Sequence, residues 1–186
     1  MILKHLPNAL TVLRLIMIVP FLMLLYHQEY RYALYIFFLA GFTDGLDGWL
    51  ARHFQWQSFF GSFADPLADK LLVASSFISL ALIGSLPWWL VILVFLRDLT
   101  ISLAIVFWYV FIQRRLDFEP TLLSKINTTL QLGLVTCCLI ELAYFKFPPE
   151  LMQSFILIIA FTTATTFAHY IWLGIQKAWL KVETAK

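Results

Sequence analysis

Long apolar segments separated by short polar breaks recur along the whole chain of 186 residues. Only 13% of the residues are charged and the mean hydropathy is +0.83, whereas soluble domains carry about 25% charged residues. A helix that crosses a bilayer needs about 20 mostly apolar residues. The sequence therefore predicts an all-α integral membrane protein, with residues 1–186 forming a single membrane domain.

The hydropathy pattern predicts six transmembrane helices, at 8–27, 31–52, 60–84, 87–113, 121–145 and 150–175. Six spans put both termini on one side of the membrane. The far side holds Arg31 and Lys146, while the side of the termini collects Lys4, Arg14, Arg52, Arg114, Arg115, Lys125, Lys177, Lys181 and Lys186. Because cytoplasmic loops are enriched in Lys and Arg, we expect both termini in the cytoplasm.

Four aspartates flank the break between the second and third apolar segments: Asp44, Asp47, Asp65 and Asp69. Spacings of three and four residues place each pair on one helix face. If the two helices are antiparallel neighbours, all four carboxylates converge near the cytoplasmic surface. Such a cluster stays ionised only beside positive charge, and carboxylate oxygens suit Mg²⁺, Mn²⁺ or Ca²⁺.

The competing interpretation treats the aspartates as helix-end charges that pair with nearby Lys and Arg. Carboxylates in membrane helices are costly, so a functional role is the default hypothesis. The small residues Gly45, Gly48, Ala51 and Gly61 permit close helix packing, and they equally leave a groove for a ligand. Arg52 could hold a phosphate bidentately beside such a groove.

The segment resembles the signature of the CDP-alcohol phosphatidyltransferase family at every position. The motif reads Asp44-x2-Asp47-Gly48-x2-Ala51-Arg52-x8-Gly61-x3-Asp65-x3-Asp69. Upstream, Pro7-Asn8-x2-Thr11-x2-Arg14 is similar to the first helix of the family. The resemblance and the six-span plan together cover essentially the whole chain.

The resemblance implies that an alcohol attacks the β-phosphorus of a CDP-linked lipid, usually CDP-diacylglycerol, and that CMP leaves. It assigns two divalent cations, Mg²⁺ or Mn²⁺, to Asp44, Asp47, Asp65 and Asp69, with Asp69 also acting as the catalytic base. The CDP site would be lined by Gly48, Ala51, Arg52, Gly61, Asn8 and Thr11. The resemblance further implies a homodimer in a membrane, expected to be a bacterial inner membrane with the active site facing the cytoplasm, and no nucleic-acid partner.

Arg97 lies deep in the fourth predicted span, and Lys125 opens the fifth. Arg97 could simply neutralise Asp98, although adjacent positions on a helix do not face each other directly. We favour a cationic pocket for a phosphate-bearing acceptor, built from Arg97 and Lys125 with Arg114 and Arg115 at its entrance.

The pattern from Arg97 to Gln131 resembles the branch of the family that acts on glycerol-type acceptors. Phosphatidylglycerophosphate synthases usually have a second lysine where this chain has Asn127, whereas Ser124-Lys125-Ile126-Asn127-Thr128 looks more like cardiolipin synthases. A missing lysine suits a phosphodiester with one charge, so we expect phosphatidylglycerol as acceptor, with glycerol 3-phosphate as the alternative. A divalent cation transporter and a lipid pyrophosphatase are more distant alternatives.

Overall fold

A computed structural model describes residues 6–54, 59–111 and 122–184, with side chains placed at 8–46, 53–54, 67–103 and 122–172. Six helices form within these residues, which confirms the predicted all-helical fold. They are α1 (Leu6–Tyr26), α2 (Tyr30–His53), α3 (Phe59–Ile83), α4 (Trp88–Phe111), α5 (Leu122–Ala143) and α6 (Pro149–Thr184). By length and hydropathy, the described residues contain three candidate membrane spans, Asn8–Tyr26, Leu122–Ala143 and Pro149–Trp172.

The largest difference from the predicted boundaries is the length of α6, which runs for 36 residues to Thr184 rather than ending near 175. The apolar run stops near Lys177, and hydropathy therefore predicted the end of the helix there. Backbone hydrogen bonding does not require apolar side chains, and Ala, Leu and Lys are all good helix formers.

The α1 and α3 helices end in the same capping motif. At the end of α1, Glu29 N–H donates to the Leu24 carbonyl over 2.8 Å and Gln28 N–H donates to Leu25 over 3.1 Å. At the end of α3, Ser85 N–H donates to Leu80 over 2.9 Å and Gly84 N–H donates to Ala81 over 3.1 Å. This is the Schellman pattern, which satisfies carbonyls that the last helical turn leaves without partners.

The helices fall into two compact units, and the first contains α1, α2, α3 and the part of α5 from Val135 onward. Within it α1 packs against both α2 and α3. Phe21 of α1 is fully buried, and its ring centroid lies 5.9 Å from that of Phe37 in α2. Ala33 and Ala40 are also fully buried, one turn to either side of Phe37. Small residues on each side of a large one let the two backbones approach closely.

Near the start of α2 a polar contact joins this helix to the end of α5 in the same unit. The hydroxyl oxygens of Tyr35 and Tyr144 lie 2.9 Å apart. Arg31 Nε donates to the Ala143 carbonyl over 3.3 Å, and the guanidinium lies 5.2 Å from the centre of the Tyr144 ring. Hydrogen bonds and a cation–π contact therefore hold the chain after α5 against α2.

The second unit contains α4, α5 up to Leu134, and α6, with α4 packed against α6. Residues Leu90, Val94, Arg97 and Ile101 form the buried face of α4, at helical spacing. On α5 the buried face carries Asn127, Gln131 and Leu134. Charged and amide side chains thus occupy core positions that apolar residues usually fill, which marks this layer of the unit as a candidate binding region.

Candidate active site

Arg14 joins a carboxylate of α2 to a carboxylate of α3. Its Nη1 lies 2.8 Å from Asp44 Oδ1 and 2.6 Å from Asp69 Oδ1. The Arg14 side chain is 0% exposed, whereas the side chains of Asp44 and Asp69 are 43% and 44% exposed. The guanidinium therefore contacts the carboxylates from the buried side, and part of each carboxylate faces outward.

The local sequence explains this arrangement. Thr11, Arg14, Met17, Phe21 and Leu25 form the buried stripe of α1, spaced by three or four residues. An arginine on that stripe is drawn into the helix packing, where a guanidinium cannot lose its proton and must find anionic partners. Asp44 and Asp69 both contact the same nitrogen of this guanidinium. The structure thus brings together one member of each predicted aspartate pair.

The remaining signature residues lie in helices whose side chains are not described there. Asp47, Gly48, Ala51 and Arg52 fall in the last part of α2, and Gly61 and Asp65 fall in the first part of α3. Their predicted roles in metal and CDP binding therefore stay predictions. Of the two residues predicted from the first helix to bind CDP, Asn8 is half-buried and Thr11 is fully buried.

The carboxylates that are described suit the donor set of a hard divalent cation. Among the described side chains, no group of three or more His, Cys, Asp or Glu comes together as a metal site. The side chains of Asp47 and Asp65 are not among those described. Asp44 and Asp69 nevertheless direct oxygens from two helices toward one point of positive charge. Carboxylate oxygens that share a cation position in this way match the ligands preferred by Mg²⁺ and Mn²⁺.

In the second unit Arg97 contacts both its sequence neighbour and α5. Its Nη1 lies 2.5 Å from Asp98 Oδ1, and its Nη2 donates to Ser124 Oγ over 2.5 Å. Adjacent helix positions do not face each other, yet the long arginine side chain reaches round to Asp98. The neutralising pair that the sequence suggested is therefore present, although Arg97 itself is buried, with only 5% of its surface exposed.

Asn127 forms a second polar contact in this unit, between α5 and α6. Its Oδ1 accepts hydrogen bonds from Thr162 Oγ1 over 2.8 Å and Thr163 Oγ1 over 3.0 Å. Asn127 is 0% exposed and Gln131, one turn later, is 1% exposed. Three buried nitrogen atoms of this layer have no hydrogen-bond partner among the described residues: Arg97 Nε, Asn127 Nδ2 and Gln131 Nε2.

Buried N–H groups without partners are costly, and a ligand with oxygen acceptors would satisfy them. Lys125 is exposed on α5 beside Ser124. The other two residues predicted for the acceptor pocket, Arg114 and Arg115, lie outside the described residues.

Comparison with known proteins identifies the family of the chain. The model of the CDP-alcohol phosphatidyltransferases matches residues 4–172, which include all four aspartates. The chain belongs to the CDP-alcohol phosphatidyltransferase family. Its predicted signature is therefore that of a true member, and Arg14, Asp44 and Asp69 form a contact within the matched region.

Individual members of the family that resemble this chain have names of two kinds. A "Probable phosphatidylglycerophosphate synthase" of Mycobacterium tuberculosis is 41% identical over 104 residues, 53% of this chain and 50% of that protein. A "Probable cardiolipin synthase (CMP-forming)" of Drosophila melanogaster is 33% identical over 180 residues, 89% of this chain and 56% of that protein.

A "CDP-diacylglycerol--glycerol-3-phosphate 3-phosphatidyltransferase" of Sodalis glossinidius is 35% identical over 140 residues, 71% of this chain and 75% of that protein. The chain thus spans about half the length of the first curated relatives that it matches.

Arg14 belongs to the pattern of the first helix and to the positive charges of the cytoplasmic side, but the sequence predicted no site role for it. A charged residue inside an apolar helix, three positions after a buried threonine, was the available signal. Thr162 and Thr163 were likewise not predicted as partners of Asn127. Whether their hydroxyl groups face Asn127 depends on the register between α5 and α6, which the sequence does not give.

Proposed function

We propose that this chain transfers a phosphatidyl group from CDP-diacylglycerol to a glycerol-type alcohol and releases CMP, with two Mg²⁺ or Mn²⁺ ions required. The observation that carries the proposal is the convergence of Asp44 and Asp69, from separate helices, within the region that the family model matches. Homologues named as synthases of this chemistry support the enzyme class.

In the proposed site, Asp44, Asp47, Asp65 and Asp69 hold the metal ions. When bound, the ions would neutralise the pyrophosphate of the CDP-lipid and the phosphate of the leaving CMP. Gly48, Ala51 and Gly61 leave room for the cytidine diphosphate, Arg52 binds a phosphate oxygen, and Asn8 and Thr11 border the nucleotide. Positioning and charge stabilisation supply most of the catalysis in phosphoryl transfer.

Asp69 is the proposed base. It accepts the proton of the acceptor hydroxyl, whose oxygen then forms a bond to the β-phosphorus, while the bond from that phosphorus to the CMP oxygen breaks. A side chain that is 44% exposed can contact an incoming hydroxyl, while Arg14 holds one of its oxygens from the buried side. General-base catalysis of this type contributes about 10² to 10⁴ in rate.

We further propose that all six helices span a bacterial inner membrane as one domain, with both termini and the active site on the cytoplasmic side. The distribution of Lys and Arg supports this orientation. Large exposed apolar residues, such as Ile16, Val19 and Leu82, are what helices present to lipid. Assembly into a homodimer is part of the proposal because of the family resemblance alone.

For the acceptor we propose phosphatidylglycerol, which would give cardiolipin. Among the side chains proposed to surround the acceptor, Arg97 is balanced by Asp98, and Asn127 and Gln131 are neutral. Lys125 therefore leaves one net positive charge, with Arg114 and Arg115 as further cations at the proposed entrance. One charge suits a phosphodiester better than a phosphate monoester, which carries about −1.5 to −2 at pH 7.

Glycerol 3-phosphate is the alternative acceptor, giving phosphatidylglycerophosphate. The 41% identity to a relative named for that activity favours it. The buried N–H groups of Arg97, Asn127 and Gln131 would serve the oxygens of either phosphate.

The test uses purified protein in mixed micelles with Mg²⁺ or Mn²⁺ and CDP-diacylglycerol. Phosphatidylglycerol and glycerol 3-phosphate are supplied in separate reactions, and CMP release and the lipid product are followed, with a chelated control. Cardiolipin formed only with phosphatidylglycerol would support the proposed acceptor, whereas phosphatidylglycerophosphate formed only with glycerol 3-phosphate would replace it. CMP and phosphatidic acid without an acceptor would indicate a lipid pyrophosphatase, and metal flux into liposomes without CMP release would indicate a transporter.

A further inference from the structure

In the reaction proposed above Arg14 only holds one oxygen of Asp69, although it contacts two of the proposed metal ligands. A single nitrogen, Nη1, lies 2.8 Å from Asp44 Oδ1 and 2.6 Å from Asp69 Oδ1. The two oxygens therefore share one centre of positive charge. An –NH₂ group of a guanidinium has two hydrogens, which is sufficient for one hydrogen bond to each carboxylate.

This contact reduces the electrostatic repulsion between the two carboxylates within the first unit. The nearer oxygens of Asp44 and Asp69 both lie within 2.8 Å of the same nitrogen atom, and carboxylates held this close together repel unless a cation lies between them. Arg14 is that cation, and it is fully buried. Because α1 packs against both α2 and α3, the charge that relieves the repulsion also lies at the centre of the helix packing.

A divalent ion that binds these carboxylates has to share their negative charge with Arg14. The ion would approach from the exposed side, and the guanidinium is held on the buried side of the same oxygens. Two cations separated by little more than a carboxylate repel each other strongly where the dielectric constant is low. A buried guanidinium cannot move into water without losing both partners, so the repulsion weakens metal binding.

We propose that Arg14 is a built-in counter-cation, which lowers the affinity of the Asp44–Asp69 pair for divalent metal ions and stabilises the three-helix packing when no metal is bound. This inference rests on the proposed metal site. Arg14 is a positioning residue in this scheme, since it acts on the metal ligands and does not contact a reacting atom. The positive charge of Arg14 would set the concentration of free divalent metal ion at which the Asp44–Asp69 site becomes occupied.

The test measures Mn²⁺ binding to detergent-solubilised protein by electron paramagnetic resonance, after chelation and removal of the chelator. Wild type is compared with Arg14→Met, which has a long unbranched side chain but no charge, and with Arg14→Lys, which keeps the positive charge. We expect Arg14→Met to bind Mn²⁺ at least tenfold more tightly and to have a lower metal-free Tm. Mn²⁺ should raise the Tm of this variant more than that of wild type, and Arg14→Lys should lie between the two.

Phe21→Leu is the matched control, because it loosens the same helix without changing a charge. It should lower the Tm and leave the Mn²⁺ affinity unchanged. If wild type binds Mn²⁺ and Arg14→Met binds it equally or more weakly, the counter-cation role is wrong while the metal site stands. If wild type binds no Mn²⁺, the metal site of the proposed function fails, and the inference fails with it.

Arg14→Met is purified in Mn²⁺ if it does not fold without metal. Unfolding of this variant on chelation, under conditions where wild type stays folded, would support the proposal. If Arg14→Met does not accumulate even in Mn²⁺, Arg14→Lys decides the question. Mn²⁺ binding by Arg14→Lys that is tighter than wild type supports the counter-cation, and equal or weaker binding overturns it.

Discussion

Gln28 and Gly84 occupy the same position in two identical helix caps, one with a side chain and one without. Their φ angles are +62° and +86°, both in the left-handed region. That conformation costs roughly 1–2 kcal/mol for a residue with a Cβ and almost nothing for glycine. The cap of α1 therefore contains a strained glutamine where the cap of α3 contains the favoured residue.

Exchanging the two residue types should move stability in opposite directions. Gln28→Gly should stabilise the protein by up to about 1 kcal/mol, and Gly84→Ala should destabilise it by about 1 kcal/mol. A Cβ at Gly84 would meet nothing within 4 Å, so the effect would come from the backbone alone. Thermal unfolding in detergent measures both variants, and a lower Tm for Gln28→Gly would show that the glutamine side chain contributes more than its backbone strain costs.

Asp69→Asn should lower kcat by at least about 100-fold, because an amide cannot accept the proton of the acceptor hydroxyl. Binding of CDP-diacylglycerol should stay largely intact, since the amide keeps the shape of the side chain. Stopped CMP-release assays measure kcat, and lipid binding is measured separately by a filtration assay. Glu150→Gln, an exposed carboxylate in the first turn of α6, is the control and should retain full activity. Near-normal turnover of Asp69→Asn would exclude the base role.

Asn127→Lys should shift the acceptor preference toward glycerol 3-phosphate by about tenfold, equivalent to about 1.4 kcal/mol. The added charge lies where Thr162 and Thr163 hydroxyls can accept hydrogen bonds from it, and it suits a phosphate with nearly two charges. The ratio of kcat/KM for the two acceptors is the measurement. Asn127→Ala removes the amide without adding charge, and it should weaken both acceptors alike. An unchanged ratio in Asn127→Lys would separate this residue from acceptor choice.

Lys125→Ala should raise the KM of the acceptor by about fivefold and leave the KM of CDP-diacylglycerol nearly unchanged, because a single exposed phosphate contact of this kind contributes on the order of 1 kcal/mol. Both constants come from initial rates in mixed micelles at fixed lipid fraction. Lys146→Ala removes an exposed lysine outside the helices and serves as the control. Equal effects of Lys125→Ala on both substrates would argue against an acceptor pocket at the start of α5.

The convergence of Asp44 and Asp69 could be predicted because it depends on two local facts. Helical periodicity fixes the face of each aspartate, and only a few residues separate the two helices in the chain. The Arg97–Asp98 pair could not be judged in the same way. Adjacent positions on a helix point about 100° apart, and only the conformation of the long arginine side chain brings its guanidinium to Asp98.

Contacts between residues far apart in the chain were beyond the sequence pattern. The hydrogen bonds from Thr162 and Thr163 to Asn127 depend on how α6 is shifted along α5, and many shifts bury equally apolar faces. The helix α6 continues beyond the predicted span for a different reason: hydropathy reports the membrane boundary, whereas a helix can continue through it. The existence and order of the helices, by contrast, follow directly from the apolar segments.

The ion pair between Arg14 and Asp69 spans 55 positions of the chain, and this separation has a consequence for biogenesis. When α1 emerges from the ribosome, α3 has not been made, and the arginine enters the translocon without its second partner. An arginine in a membrane helix opposes insertion, by about 2.5–3.5 kcal/mol at the centre of the helix and by less toward its ends. If the first helix spans the membrane, we therefore expect its integration to become more stable once the third helix has been made.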